Sequence, residues 1–321
     1  MFDKTSRKDS GLGERDVVIG VVLMLIATVL QPTFDAIMKA ISTEIPPVQV
    51  AWARMAFQML FTLPFVLAGP GIAGLLPKPF GLQVLRGLFI AISNVAFVSA
   101  ILVMPLADAI ALVFVAPLMV TALSALVLGE VVGPRRWTAV VIGLVGAIII
   151  IRPGSGLFGF TALLPICAAA GYSGYLIVTR YLTTSAHPIS THFFTAVVNV
   201  VAIGAALLLG LATDWPLIAP VGPTPGQWGW LALVGLLSTI AHFLITLAFS
   251  KAPASTLAPI TYFEIVGATV LGYLVFGDFP DFWTWIGVAV IVATGLYVAF
   301  RARRRQATTP VAPPLVGADP D

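Results

Sequence analysis

Long apolar runs separated by short breaks of proline, glycine and charge fill almost the whole sequence. A helix that crosses the hydrocarbon core of a membrane needs roughly 20 mostly apolar residues, and the runs have about this length. They predict ten spans, at 17–40, 48–67, 82–101, 106–128, 137–151, 160–181, 189–211, 228–249, 254–276 and 283–300. The fifth range is short, so we expect that span to extend into its flanks.

The composition agrees with this pattern. Of the 321 residues, 59% are hydrophobic and 10% are charged, whereas a soluble domain carries about 25% charged residues. The chain is therefore predicted to be an all-α membrane protein with ten transmembrane helices. We divide it into a cytoplasmic segment at 1–16, a first half at 17–151, a second half at 157–300, and a basic, then disordered cytoplasmic tail at 301–321.

Basic residues indicate which side of the membrane each end faces. With the N-terminus inside, all of the 17 Lys and Arg residues except Lys39, Arg54 and Arg152 fall in inner segments. Because inner loops are enriched in Lys and Arg, both termini are predicted to be cytoplasmic, in a bacterial inner membrane. The net charge of +3 follows from this topology, and no patch of basic and aromatic residues typical of nucleic-acid binding occurs.

A repeat relates the two halves. Shifting the chain by 148 residues aligns two blocks without gaps, and the matched pairs are Pro105 with Pro253, Gly129 with Gly277, Glu130 with Asp278, and Trp137 with Trp285, among others. Each half holds five spans, and an odd number means that the second half enters from the opposite side. We therefore expect a 5+5 inverted repeat, which is typical of secondary transporters whose sites lie near the midplane between the repeats.

The first span carries polar groups at membrane depth. Its apolar run Val17–Leu30 has 14 residues, about 21 Å of helix, which is too short for a core of about 30 Å. The helix must continue through LQPTFDAIMKAI, in which Gln31, Asp35 and Lys39 share one face. Asp35 and Lys39 either form an intrahelical ion pair or belong to a substrate or proton site, since ionisable groups inside a membrane are functional candidates.

Two more ionisable residues lie inside predicted spans. Arg54 lies about two turns into the second span, at a depth where it can meet Asp35 either in a structural bridge or in binding. Glu264 lies near the midplane of the ninth span, with no basic residue within one turn. It is a candidate for carrying a proton or for neutralising a cationic substrate.

Other polar residues inside the predicted spans have structural interpretations, and some of them have a functional interpretation as well. His242 has hydroxyl residues on neighbouring turns and is either a satisfied core histidine or a proton-linked group. Arg86 is explained by topology and snorkelling, and Asp108 is explained as a helix-start residue. Further polar or aromatic residues share helix faces where packing competes with ligand binding, namely Asn94, Tyr172, Tyr175, His192, Thr195 and Asn199.

Several kinds of chemistry have no motif here. The sequence contains no GxxxxGK[ST], HExxH, GxSxG or CxxC pattern, and GSGLFG at 154–159 joins two spans instead of opening a βαβ unit. The one cysteine, Cys167, is expected to pack as a small buried hydrophobe. We therefore expect no enzyme activity, no cofactor and no metal. The expected partners are a small-molecule metabolite and the lipid bilayer, without nucleic acid, for a chain that is a monomer or homodimer.

Residues 17–300 resemble the EamA branch of the drug/metabolite transporter superfamily. The resemblance rests on two halves of five spans, on the LGE of Leu128–Glu130 after the fourth span, and on its echo FGD at Phe276–Asp278. In addition, D-x-x-x-K in the first span, Arg54, LRG at 85–87 and the run APITYFEIVGATVLGYLVFGDFPD are similar to a bacterial uptake subgroup that includes riboflavin and S-adenosylmethionine importers.

The resemblance implies a central cavity bounded by spans 1, 3, 4, 6, 8 and 9, with spans 5 and 10 peripheral. It implies that the cavity is faced by Asp35, Asn94, Tyr172, Tyr175, His242 and Glu264. Together with Lys39 and Arg54, these are the predicted substrate-binding or coupling residues. One departure from symmetry is that Ile265 stands where the first half has Pro117.

The expected function is that of a secondary transporter that moves a small organic metabolite by alternating access. The resemblance favours uptake of riboflavin or of an S-adenosylmethionine-like solute. Export of amino acids or drugs on the same fold is the alternative, and a membrane-embedded enzyme or a scaffold is a remote one.

Overall fold

The structure is a computed structural model that describes residues 14–127, 129, 132–152, 159–182, 187–213 and 218–308. Within these residues it is all-α and contains no strand. The helices are α1 (Glu14–Ile41), α2 (Pro47–Ala68), α3 (Phe80–Val103), α4 (Leu106–Val113), α5 (Ala116–Val127), α6 (Pro134–Ile151), α7 (Leu163–Leu182), α8 (Pro188–Thr213), α9 (Pro225–Lys251), α10 (Ala254–Thr261), α11 (Phe263–Leu271) and α12 (Phe282–Thr308). A π-helical turn at Gly272–Phe276 follows α11.

The predicted spans are confirmed. Ten helical stretches among the described residues are long and apolar enough to cross a membrane. The fifth span begins at Pro134, so it extends into its N-terminal flank as expected. The last helix continues through Thr308, so residues 301–308 of the predicted tail are helical. The LGE acid and most of GSGLFG, like 1–13 and 309–321, lie outside the described residues.

The fourth and ninth spans are each broken near the middle. Phe114 and Val115 separate α4 from α5, and Tyr262 separates α10 from α11. Phe114 and Tyr262 are equivalent under the 148-residue shift, and their ring centroids lie 4.8 Å apart. Pro117 disfavours a continuous helix in the first half because it lacks an N–H and clashes with the preceding turn. The second half breaks at the matching place although it has Ile265 there, so the departure from symmetry does not remove the break.

Helix packing follows the repeat. Under the shift, α1 corresponds to α7 and α3 corresponds to α9. The helix α1 packs along α9, and α7 packs along α3 in the same way. Likewise, α2 packs on α9 as α8 packs on α3, and α1 packs on α11 as α7 packs on α5. This pattern fits two interleaved repeats of five spans. The helices α6 and α12 pack mainly against each other at one side, which agrees with their implied peripheral position.

The outer surface is apolar, and the interior holds charge. Large apolar side chains such as Phe65 and Leu208 are exposed on the outside of the helices. Cys167 is exposed as well, so the expectation that it is a buried hydrophobe is wrong. Hydrocarbon covers such a surface in a bilayer, where backbone groups are satisfied within each helix. By contrast, the ionisable residues Asp35 and Arg54 are only 4% and 7% exposed. The interior of the bundle is therefore where specific chemistry is possible.

Candidate functional site

A group of polar side chains occupies the interior where the two halves meet. We call it the central cluster, and it consists of Gln31, Asp35, Arg54, Asn94, His192, Asn199, His242 and Glu264. Electrostatic interactions connect its members across helices, including Arg54 with His242, and Asp35 with Glu264. The structure thus brings five of the eight predicted site residues together, on α1, α2, α3, α9 and α11.

Glu264 contacts α1 from the second half. Nε2 of Gln31 donates a hydrogen bond of 2.7 Å to Oε2 of Glu264. The contact depends on a close approach of α11 to α1, since a Cβ at Gly267 would lie 2.7 Å from Cγ of Pro32. A glycine at this position therefore lets the carboxylate reach the amide. Among the described residues Glu264 forms no ion pair, and the amide of Gln31 is its hydrogen-bond partner.

Arg54 begins a chain of amides. Its Nη2 donates a hydrogen bond to Oδ1 of Asn94. Nδ2 of Asn94 donates to Oδ1 of Asn199 at 2.9 Å, and Asn199 in turn donates to backbone carbonyls of α3 and α8. The guanidinium carbon also lies 5.7 Å from the ring centroid of Phe34. These hydrogen bonds connect α2, α3 and α8 and hold one edge of the Arg54 guanidinium. The buried Nε of Arg54 has no hydrogen-bond partner among the described residues.

Asp35 and Arg54 interact electrostatically without touching. The Asp35 carboxylate forms no hydrogen bond and no ion pair within 4.0 Å in the described part of the chain. The predicted Asp35–Arg54 bridge is therefore wrong as a direct contact, because Asn94 holds the guanidinium from another side. A buried acceptor and a buried donor group therefore lie near enough to interact electrostatically but form no direct contact.

Lys39 extends away from Asp35. Its Nζ lies 2.8 Å from Oδ2 of Asp278 and 3.0 Å from the carbonyl oxygen of Met104, and it lies 4.7 Å from the ring centroid of Phe276. The intrahelical Asp35–Lys39 ion pair is therefore wrong. A long lysine side chain near a helix end reaches toward the boundary of the membrane, and here it finds a carboxylate of the second half.

A second ion pair joins the halves at the same end. Nη2 of Arg152 lies 2.6 Å from Oδ2 of Asp281. Partial burial raises the pKa of Asp281, but hydrogen bonds from Thr284 and Arg152 outweigh this effect and hold the pKa below its ordinary value of 3.8. We call the region formed by the Lys39–Asp278 and Arg152–Asp281 pairs the Lys39 end.

Asp108 lies close to these ion pairs. It belongs to the first turn of α4, as predicted for a helix-start residue, and it is 4% exposed. It interacts electrostatically with Asp281 and Arg152, and its Oδ1 is buried without a hydrogen-bond partner among the described residues. The Lys39 end thus concentrates acids of both halves around two cations.

Arg86 is an interior residue. It is 5% exposed and donates hydrogen bonds of 2.7, 2.8 and 2.7 Å to Thr179 Oγ1, Thr195 Oγ1 and the Tyr175 hydroxyl. The snorkelling interpretation is therefore wrong, because the guanidinium is buried among hydroxyl groups and does not reach the membrane boundary. The acceptors lie on α7 and α8, so the sequence around Arg86 on α3 carries no sign of them.

Aromatic and imidazole rings lie beside these polar groups. Tyr172 and Tyr175 share a face as predicted, with stacked rings whose centroids are 5.7 Å apart, and Tyr172 is 39% exposed. The rings of His192 and His242 lie 5.4 Å apart, and Nδ1 of His242 lies 2.7 Å from the carbonyl oxygen of Ser238. Tyr172 interacts electrostatically with Glu264, which places the tyrosine face next to the central cluster.

Sequence reasoning missed several partners. Asp278 and the hydroxyl acceptors of Arg86 lie far from their partners along the chain. The sequence marked Asp278 as the counterpart of Glu130 in the repeat, and it marked Tyr175 and Thr195 as residues on shared helix faces, but it did not indicate which cation each of them contacts. No group of three or more His, Cys, Asp or Glu residues in the described part of the chain is arranged to hold a metal ion. The site offers donors, acceptors and one exposed aromatic ring, which suits binding of a polar organic solute.

Comparison with known proteins agrees with this architecture. Residues 18–152 and 159–300 match the EamA-like transporter family. A riboflavin transporter from Rhizobium johnstonii is 29% identical over 90% of this chain and 93% of its own length. An S-adenosylmethionine uptake transporter from Rickettsia bellii is 27% identical over 89% of this chain and 95% of its own length. A solved structure, described only as the crystal structure of a protein, has a TM-score of 0.60 at 19% identity over 92% of this chain and 99% of its own, which supports the fold alone.

The two matched segments cover both halves of the bundle and meet at the connection between α6 and α7. The chain therefore belongs to the EamA-like transporter family, and it is a multi-pass membrane transporter of metabolites.

Proposed function

We propose that this protein is a secondary transporter of the bacterial inner membrane that takes up riboflavin, or an S-adenosylmethionine-like solute, by alternating access. The observation that supports the proposal best is the buried pair of Asp35 and Arg54, which lies between the halves without direct contact. Burying charged groups without an opposite charge in direct contact is costly, and the hydrogen bond from Arg54 to Asn94 offsets this cost only in part. A solute that contacts both side chains offsets this cost while it is bound.

The pair favours a solute that presents a hydrogen-bond donor next to an acceptor. An ionised Asp35 only accepts hydrogen bonds, and Arg54 only donates them. The imide edge of a flavin, with one N–H between two carbonyl groups, has this pattern. The headgroup of an amino acid, with an ammonium beside a carboxylate, has it as well. Both solutes named for the relatives therefore suit the same two side chains.

The remaining site residues complete the proposal. Asn94 holds Arg54 in position. The exposed ring of Tyr172, supported by Tyr175, stacks on the planar part of the solute. Glu264 and His242 hydrogen-bond the solute or carry the coupled proton, since both are titratable groups inside the membrane.

The Lys39 end is the outer end in this proposal. With both termini in the cytoplasm, the positive-inside distribution of Lys and Arg places Lys39 on the opposite side of the membrane. The two ion pairs there connect the first half to the second half. Rocking one half against the other breaks them and opens the central cluster to the outside. Lys39 is thus assigned to the gate and not to the solute.

The test is riboflavin uptake into proteoliposomes that contain the purified protein, followed by flavin fluorescence with and without a pH gradient. We expect saturable uptake that flavin analogues compete, and a loss of at least about tenfold in Asp35→Ala and in Glu264→Ala. Glu14→Gln is the matched control, because Glu14 is an exposed acid in the first turn of α1. Its uptake should equal that of the wild type.

Each other outcome has a defined meaning. If folded wild-type protein gives no uptake above empty liposomes, riboflavin is removed as the solute and radiolabelled S-adenosylmethionine is tested in the same vesicles. If uptake occurs but Asp35→Ala and Glu264→Ala retain it, the site assignment fails. Net efflux from preloaded cells, in place of accumulation, assigns export. A chemically altered solute, detected by mass spectrometry, assigns an enzyme.

A further inference from the structure

A groove on the outer surface lies between α6 and α12, apart from the central cluster. It has a volume of about 340 Å³, and its lining includes Arg135, Ala139, Ile142, Ala293 and Tyr297. Arg135 lies at the start of α6, and the apolar residues follow it along the helix. The groove therefore has a basic end and an apolar body.

The helices α6 and α12 pack closely near Gly146 and Gly287, and the groove lies nearer to Arg135. A Cβ on Gly287 would lie 2.6 Å from the carbonyl oxygen of Gly146, so the backbones are in contact there. Toward Arg135 the groove is lined by the small residues Ala139 and Ala293 together with larger side chains of both helices. An elongated apolar chain fits this position better than a globular partner does.

The basic end has unused hydrogen-bonding capacity. Arg135 is exposed and makes no hydrogen bond or ion pair in the described part of the chain. Arg136 follows it directly, and its Nε is buried without a hydrogen-bond partner among the described residues. The hydroxyls of Thr138 and Thr294 donate to carbonyls of their own helices, so they require no ligand. Further basic residues lie on the last turns of α12 beyond Tyr297, namely Arg301, Arg303, Arg304 and Arg305.

We propose that this groove binds one anionic phospholipid, with the phosphate on Arg135 and an acyl chain between Ala139 and Ala293. Basic pockets between membrane helices attract acidic headgroups, at about 1 kcal/mol for each Lys or Arg near the surface. A second copy of the chain is a poorer occupant. A twofold contact through this face would bring Arg135 close to the same arginine of the other copy.

The test compares lipids by thermal unfolding of the purified protein in a neutral detergent. Phosphatidylglycerol should raise the unfolding temperature by about 4 °C more than phosphatidylcholine with the same acyl chains. Arg135→Gln should abolish this difference. Ala293→Phe should also abolish it, because the ring fills the groove while every charge remains. Arg136→Gln is the matched control, since it removes the neighbouring charge outside the groove lining, and it should keep the difference.

Three results would overturn the proposal. Equal effects of the two lipids on the wild type would show that the headgroup is not recognised. Equal losses in Arg135→Gln and Arg136→Gln would show a diffuse charge effect in place of a site. Full retention of the difference in Ala293→Phe would show that no chain enters the groove. Native mass spectrometry adds the stoichiometry, and a protein dimer in place of one bound lipid would also contradict the proposal.

Discussion

Neutralising Lys39 should open the Lys39 end of the protein. The Lys39 ammonium lies 2.8 Å from Asp278 and 3.0 Å from the Met104 carbonyl oxygen, and the Lys39 and Asp278 side chains are 12% and 34% exposed. The variant Lys39→Met keeps most of the length of the side chain and removes the charge and both hydrogen bonds. Because the ion pair joins the two halves, its loss should destabilise the closed arrangement of this end.

The expected magnitude follows from the partial burial of the pair. Exposed ion pairs contribute about 0–1 kcal/mol, and removing one partner of a buried pair costs about 3–5 kcal/mol. An intermediate value of about 1.5 kcal/mol corresponds to a shift of roughly tenfold from closed toward open. Arg152→Met should shift the ratio less, because the side chain of Asp281 is 46% exposed.

The assay is a distance distribution between two spin labels measured by pulsed electron paramagnetic resonance. Labels at Thr43 and Phe279 report on the Lys39 end from opposite halves, in a Cys167→Ala background because that cysteine is exposed. We expect a longer-distance population to grow in Lys39→Met. The exchange of Lys39→Asp with Asp278→Lys should reverse most of the change.

A matched control is available at the other end of the bundle. Lys251 lies 2.8 Å from Asp16, in a pair of similar length. If Lys251→Met lengthens the distance at the Lys39 end as much as Lys39→Met does, the effect is not local. An unchanged distribution in Lys39→Met would refute the assignment of this ion pair to a gate.

Three further changes test the architecture around the site. Arg86→Met should lower the free energy of unfolding by about 3 kcal/mol, because the buried hydrogen bonds from α3 to α7 and α8 are lost. Thermal unfolding in detergent measures this loss, and Arg15→Met, a change at an exposed residue, should alter the unfolding temperature little. Gly267→Ala should push α11 away from α1, lower the free energy of unfolding by about 1–3 kcal/mol and reduce transport. Gly229→Ala is the control, since nothing lies within 4 Å of the added Cβ, and it should change neither thermal unfolding nor uptake into proteoliposomes. The lowered pKa of Asp281 means that the stabilisation by this residue is present above pH 3.8 and is lost as the pH falls through its folded-state pKa. The difference in unfolding temperature between wild type and Asp281→Asn should therefore stay constant from about pH 7 to 5 and disappear in stronger acid. A difference that grows in acid would contradict this assignment.

The sequence alone determined the membrane class, the ten spans and the offset between the halves. Each span buries its own apolar surface in lipid and satisfies its own backbone, so its limits depend on local composition. The offset of 148 residues also predicted which helices correspond, and the ring contact between Phe114 and Tyr262 lies at equivalent positions. Asp35, Arg54 and Glu264 were identified as site candidates because charge inside an apolar run is costly.

Only the tertiary structure decided which polar groups meet. Lys39 pairs with Asp278 and Gln31 pairs with Glu264, at separations of 239 and 233 residues. Spacing along one helix suggested an Asp35–Lys39 pair, but the long side chain of Lys39 finds its acceptors beyond its own helix. The partner of a buried charge depends on which faces of distant helices come into contact. That choice is made by packing, such as the approach that Gly267 permits, and local sequence carries no record of it.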